Sequence, residues 1–239
     1  MKRVLSLVAA LAVSTVATAA FAAGSSTIAG TKHNLSLGST ASYKVGAGGT
    51  GQICIFCHTP HNAAQNVPLW NRTANGTAAG GFTLYSSVTM VNSKHATGFT
   101  TDSISLFCMS CHDGSALGGT TMIKNQPADG TSTDVSLGGT GASEGIASGR
   151  AANLGTDLRS SHPINFRVLQ SGTSNGLGDV TGNILKTSTV SGGFPLFASG
   201  GQDKYLECGS CHAVHDNTNI PFLRTTNDGS KLCLGCHVK

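Results

Sequence analysis

The hydrophobic positions of this 239-residue chain are concentrated at its start and are irregularly spaced afterwards. Residues 4–22 form a mostly apolar stretch, whereas residues 114–155 are polar and rich in glycine. The second segment shows neither the 3.6-residue period of an amphipathic helix nor the alternation of a strand. Apolar residues return in 158–170, and residues 181–190 have weak strand character. The pattern predicts a mostly irregular fold with minor β structure, in which the helices are short turns.

The N-terminal stretch has the features of a secretory signal peptide. Lys2 and Arg3 precede the apolar part, and small residues end it, so we expect cleavage after Ala22. A transmembrane anchor is the alternative, but no later stretch approaches the roughly 20 apolar residues that a spanning helix needs. We therefore predict that residues 1–22 are removed and that the exported protein has no transmembrane segment.

All eight cysteines fall into four copies of the motif Cys-x-x-Cys-His. Two thiols at this spacing on one helical turn can reach the two vinyl groups of a single porphyrin, and the histidine that follows can bind the iron. Four copies with no cysteine left over predict four covalently attached haem c groups. The predicted attachment residues are Cys54, Cys57, Cys108, Cys111, Cys208, Cys211, Cys233 and Cys236, and the predicted proximal ligands are His58, His112, His212 and His237.

Two other uses of paired cysteines fit the sequence less well. Structural zinc sites also contain Cys-x-x-Cys pairs, but they do not require a histidine after each of the four pairs. A disulfide framework would suit an exported protein, yet it does not explain the short and identical spacing. Redox dithiols of the thioredoxin type do not occur in fours. Haem attachment therefore remains the favoured interpretation.

Composition supports a fold built around a cofactor. The chain has 32 glycines, and aromatic residues make up 5% and charged residues 11% of it, which is a poor basis for a conventional hydrophobic core. Four porphyrins would provide large apolar surfaces for the chain to wrap. Once Lys2 and Arg3 are removed, 13 basic residues remain against 11 acidic ones, and the haem propionates would make the loaded protein acidic. No basic stripe or aromatic platform suggests nucleic-acid binding.

Five of the nine histidines lie outside the motifs and are candidates for the sixth ligand of four irons. His61 and His215 each lie three residues after a proximal histidine, too close in the chain to reach the far side of their own haem. They are therefore expected to bind the irons of neighbouring haems, and Pro60 would turn the chain away from the first ring. The full set of candidates is His33, His61, His95, His162 and His215.

The motifs and their surroundings resemble those of a known family. The segments KHNLS, CIFCHTPHN, SHPINF and CGSCHAVHD, in that order, are similar to those of extracellular tetrahaem cytochromes with doubled CxxCH motifs that form conductive filaments. The resemblance implies haems with two histidine ligands, little regular secondary structure, and secretion past the outer membrane. In this pattern His33, His61, His162 and His215 match distal ligand positions, which leaves His95 as the surplus histidine. It also implies that one ligand is supplied across the subunit interface, without identifying that ligand. Because His33 lies on a Gly/Ser/Thr-rich arm near the start of the mature chain, it is our first candidate and His95 the second, with an intramolecular ligand as the alternative.

We expect two lobes in the mature protein, residues 23–155 with haems 1 and 2 and residues 156–239 with haems 3 and 4, although one continuous haem-cored domain is also possible. The predicted function is extracellular electron transfer by hopping between haems, without enzymatic activity. The expected partners are further copies of the chain in a head-to-tail polymer, other multihaem cytochromes, and extracellular metal oxides or electrodes. A monomeric periplasmic electron carrier is one alternative. A multihaem reductase with one open iron is another, and Met90 or Met122 could also replace one histidine ligand.

Overall fold

The architecture is that of a computed structural model, which describes residues 28–64, 69–73, 81–86, 98–139, 141–168 and 194–237. Several predicted features lie outside the described residues. They are the signal peptide at 1–22, the weak strand at 181–190, Met90, and the candidate ligand His95.

Regular helices are short and lie at the cysteine motifs. Helix α1 spans Ile104–His112, α2 spans Cys208–Cys211 and α3 spans Lys231–Leu234. Two 3₁₀ helices cover Cys54–Phe56 and Asp228–Ser230. The prediction of a mostly irregular chain with short helices around the motifs is confirmed for the described residues.

Among the described residues, the β structure consists of two small antiparallel sheets. Strand β1 (Tyr43–Val45) pairs with β2 (Val135–Leu137). In the second sheet, β5 (Gln202–Leu206) lies between β3 (Phe166–Arg167) and β4 (Phe197–Ser199). A two-residue turn of Gly200 and Gly201 joins β4 to β5, and glycine suits it because both residues have positive φ, 59° and 72°.

The described apolar residues form three small clusters in place of one large core. The first contains Phe56, Leu117 and Val135 together with Val45 and Ile123, and it lies against the first cysteine motif. The other two contain Phe82, Leu84, Phe99, Met109 and Leu158, and Phe166, Val168 and Leu206. Cys57 and Cys111 pack against the first cluster and Cys236 against the third, so the clusters adjoin the motifs.

A buried carboxylate joins the second and third motifs. Glu207 is fully buried, and its Oε2 accepts hydrogen bonds from the hydroxyls of Ser103, at 2.9 Å, and Ser105. The backbone N–H of Glu207 donates to Ser210 Oγ (3.0 Å), and the N–H of Cys208 donates to Ser105 Oγ (2.9 Å). These bonds hold the start of α1 against the start of α2. The same bonds connect residues on either side of the predicted lobe boundary between residues 155 and 156. The division into two lobes stays a prediction.

Candidate functional site

The cysteine motifs share one local geometry. In the first, the backbone N–H of His58 donates to the carbonyl of Cys54 at 2.8 Å. The corresponding bonds are 3.0 Å from His212 to Cys208 and 2.8 Å from His237 to Cys233, and the second motif lies within α1. Each motif is therefore a single helical turn, which brings both sulfur atoms and the imidazole to one short segment.

The thiols of successive motifs lie close to one another. Burial raises the pKa of Cys57 to about 12, and the nearby Cys111 adds to the rise. A hydrogen bond with Cys208 and burial raise the pKa of Cys108. Burial raises the pKa of Cys211 to about 11, with a further contribution from Cys236. The electrostatic influence of one thiol on another therefore follows chain order, from the first motif to the second, then to the third and the fourth.

Three of the four motif histidines face a histidine from outside the motifs. The ring centres of His58 and His215 are 6.0 Å apart, with an angle of 32° between the ring planes. For His33 and His112 the values are 6.1 Å and 79°, and for His162 and His237 they are 6.2 Å and 72°. Each pair joins segments that are far apart in the sequence.

This spacing fits an iron between the rings. A metal–imidazole bond of about 2 Å, as in zinc–histidine sites, together with the nitrogen-to-centre distance on each side, gives about 6 Å between ring centres. No three histidine, cysteine, aspartate or glutamate side chains among the described residues gather where they could hold a metal ion together. A haem iron needs only two protein ligands, because the porphyrin supplies the other four nitrogens. The paired histidines and paired cysteines therefore fit haem c.

Backbone carbonyls orient two of the paired imidazoles and also that of the motif histidine His212. Nδ1 of His112 lies 2.7 Å from the carbonyl oxygen of Ala152, and Nδ1 of His162 lies 2.8 Å from that of Pro163. Nδ1 of His212 lies 3.0 Å from the carbonyl oxygen of Pro221. Since a carbonyl only accepts hydrogen bonds, Nδ1 carries the proton in each ring, and the lone pair of Nε2 is left for a metal.

Two of the histidines outside the cysteine motifs are held in the neutral form that metal binding requires. Burial, together with the nearby His112, His215 and His212, lowers the pKa of His33 to about 4. Burial also lowers the pKa of His215, with a smaller contribution from His58. Both rings therefore keep a free lone pair at neutral pH.

His61 and His212 have no such ring partner within the described part of the chain. The side chain of His61 is exposed, and its backbone carbonyl accepts hydrogen bonds from Thr59 Oγ1 (3.0 Å) and Asn125 Nδ2 (3.1 Å). Nδ1 of His212 is hydrogen-bonded to the carbonyl of Pro221, and no other described imidazole lies about 6 Å from this ring. The structure thus brings together three of the predicted distal histidines with motif histidines, and it leaves His61 apart.

Sequence reasoning missed two aromatic residues beside the paired imidazoles. Phe222 stacks on His33, with ring centres 4.4 Å apart and 17° between the planes. Trp70 meets His58 edge to face at 6.0 Å and also contacts Phe107 at 5.1 Å. The single tryptophan of the chain was a usable signal for Trp70, whereas nothing local marks Phe222.

Comparison with known families gives one match, to the doubled CXXCH motif, over residues 201–239. No curated protein matches the chain. The matched segment contains the third and fourth motifs, and the same motif occurs twice more upstream. These findings indicate covalently bound haem c and support a multihaem c-type cytochrome, a class of protein that functions in electron transfer. No helix of the described residues is long and apolar enough to cross a membrane.

Proposed function

We propose that this protein is a tetrahaem c-type cytochrome that transfers electrons along a row of four haems and is not an enzyme. The observation that carries the proposal is the set of three histidine pairs at 6.0–6.2 Å, each with one motif histidine. An iron with an imidazole on both faces has no open position for a substrate, which favours electron transfer over catalysis. The remaining haem, haem 3, follows from the third motif, at Cys208, Cys211 and His212.

The distances support specific ligand pairs. His215 would bind the iron of haem 1 opposite His58, His33 that of haem 2 opposite His112, and His162 that of haem 4 opposite His237. His33 faces His112 of its own chain, so we propose that it is an intramolecular ligand, in place of the donation to another subunit that the sequence suggested. His61 and His95 then remain for haem 3, whose proximal ligand is His212.

The chain would position the haems for transfer between neighbours. Bound haem supplies the one-electron redox chemistry, while the protein sets spacing, axial ligands and exposure to solvent. The electrostatic interactions between the thiols of successive motifs support a row in chain order. We propose that electrons pass along this row.

We also propose that the protein acts outside the cell and polymerises into a conductive filament. The signal-like N-terminus supports export, and the resemblance to filament-forming cytochromes supports polymerisation. Two features give this idea a chemical basis: His61 is exposed, and His212 faces no second described imidazole. A histidine of one copy could therefore supply the missing ligand to the iron of the next copy. A head-to-tail contact that does not close produces a filament. Other cytochromes, metal oxides and electrodes are the proposed acceptors.

A reductase with one open iron is the second candidate, and the lack of a described ring partner for His212 is the observation that favours it. Added carbon monoxide and nitrite would distinguish the two functions. A carrier should show only low-spin haem and no spectral change with either ligand. A reductase should show one high-spin haem that binds them.

The experiment that tests the proposal itself is a haem count on the purified exported protein. Intact mass after denaturation should equal the chain without residues 1–22 plus four haems, and acid-acetone should extract none of them. A smaller number, or extractable haem, would contradict the assignment. Electron microscopy of the same preparation tests for filaments, and a uniformly monomeric protein would favour the periplasmic carrier.

A further inference from the structure

Arg72 is a buried cation beside the first cysteine motif. Its relative exposure is 2%. The preceding residue, Asn71, donates its backbone N–H to the carbonyl of Cys57 at 2.9 Å, and Arg72 itself forms a β-bridge with Ile123. Arg72 is thus fixed on both sides by backbone contacts.

The guanidinium group of Arg72 reaches from the first motif to the second. Nη1 donates to the carbonyl of Leu117 at 2.8 Å, and Nη2 donates to the carbonyls of Ser110 at 2.7 Å and Ala116 at 2.6 Å. Ser110 lies in the last turn of α1 and directly precedes Cys111. The charge therefore lies between the attachment points of two haems, Cys57 of the first motif and Cys111 of the second.

The charge of Arg72 has no described counter-ion. Its hydrogen-bond acceptors are neutral carbonyls, and Nε is buried with no hydrogen-bond partner. The ion pair found among the described residues is the exposed pair Arg159–Asp157, at 2.6 Å. An arginine stays protonated in proteins, and a buried charge acts through a medium of much lower dielectric constant than water. Within the described part of the chain Arg72 forms no ion pair, and its burial limits the screening of its charge by water.

We propose that Arg72 is a redox-tuning residue, whose buried positive charge raises the reduction potential of the haems attached at Cys57 and Cys111. Reduction adds one electron to a haem, and a nearby positive charge stabilises the reduced form more than the oxidised form. Arg72 thereby makes the junction of haems 1 and 2 a preferred position for an electron in the row. The inference rests on the proposed haem attachment.

The test uses three substitutions at one position. Arg72→Gln and Arg72→Met remove the charge, whereas Arg72→Lys keeps it and loses the planar fork of donors. Arg159→Gln is the matched control, since it removes an exposed arginine that already has a carboxylate partner. The number of haems and the low-spin spectrum are measured first for every variant. A wild-type protein without four haems would refute the proposed function and not the role of Arg72.

Potentiometric titration of the loaded proteins gives the decisive result. In the neutral variants, the reduction potential of at least one haem should fall. The expected fall corresponds to a tenfold change in the reduction equilibrium, which is about 59 mV for one electron. Arg72→Lys and Arg159→Gln should leave the couples near their wild-type values. Unchanged couples in a fully loaded Arg72→Gln or Arg72→Met protein would overturn the proposal. Equal loss of stability in all three variants with constant potentials would show a purely structural role.

A second pair of variants covers the case in which neither neutral protein acquires four haems. Ala116 is half-buried, and its carbonyl accepts a hydrogen bond from Arg72, so Ala116→Asp introduces a negative charge on a residue that contacts the guanidinium. Ala116→Asn has the same shape without the charge. Ala116→Asp should lower the same couple relative to Ala116→Asn, and identical titrations would refute the proposal.

Discussion

The imidazole of His33 is stacked on Phe222 and faces His112, so three separate segments of the chain meet at one proposed iron. Carbonyl groups hold the Nδ1 atoms of His112 and His212 in addition. Rings fixed in this way keep their orientation when an electron arrives, so little reorganisation of the ligands is needed. The role of His33 as an iron ligand can be tested by a single substitution.

Replacing His33 with alanine should convert one haem from low spin to high spin, because the iron bound by His112 loses its sixth ligand. Added imidazole should restore the low-spin spectrum. Lys32→Ala is the control, since this neighbour is exposed and has no proposed role at the iron. An entirely low-spin His33→Ala protein would show that the iron at His112 takes its ligand from elsewhere.

Glu207 makes a different prediction at the residue scale, in the dependence of stability on pH. Burial raises its pKa, and the hydrogen bonds from Ser105 and Ser103 only partly oppose this. The folded protein binds this proton more tightly than the unfolded chain, whose glutamate pKa is about 4.3. The resulting stabilisation is complete below that pKa and is lost as pH rises through the folded pKa.

The free energy of unfolding of the wild type, relative to that of Glu207→Gln, should therefore fall as pH is raised from about 4 towards neutrality. Urea titrations of both loaded proteins over this range measure the difference. A difference that is constant with pH, or that grows as pH rises, would show that burial does not control this carboxyl group.

At the scale of elements, the small sheets and turns depend on close backbone contacts. A Cβ atom on Gly118 would lie 1.9 Å from the carbonyl oxygen of Thr133, next to β2. The N–H of Gly119 donates to this same carbonyl at 3.0 Å, so the oxygen cannot move away without losing a bond. Gly38, by contrast, has no atom within 4 Å of its added Cβ.

We expect Gly118→Ala to destabilise the protein by about 1–3 kcal/mol, the usual effect of forcing an extra carbon into a packed site. Gly38→Ala adds the same methyl group in open space and should be neutral or stabilising by up to about 1 kcal/mol. Thermal unfolding of the two loaded variants compares them directly. Equal midpoints would mean that the chain around Gly118 yields more easily than this packing implies.

For the molecule as a whole, stability should depend on the cofactor. The described clusters contain five, five and three buried apolar residues, too few in each to offset the conformational entropy of so irregular a chain. We expect protein produced without haem attachment to lack a cooperative unfolding transition. Circular dichroism and limited proteolysis of attached and unattached protein test this, and a protease-resistant chain without haem would contradict it.

The sequence predicted the parts of this structure that follow from local pattern. Short turns at the cysteine motifs and a largely irregular chain were expected from motif spacing and from the lack of periodicity. The contacts of His33 with Phe222 and of Arg72 with Ser110 could not be foreseen, because each joins residues remote in the sequence. For the same reason, the sequence marked His33 and His215 as candidate ligands but did not identify the motif that each of them faces.

The pairing of His58 with His215 has a consequence for the order in which the protein matures. Under the proposed export the chain would cross the membrane from its N-terminus, so haem 1 would be attached long before His215 emerges. During that interval its iron would have only one protein ligand and could react with oxygen or bind a foreign ligand. The first haem to be attached would thus be among the last to be completed, and the cell would need either rapid export or a chaperone that covers this iron.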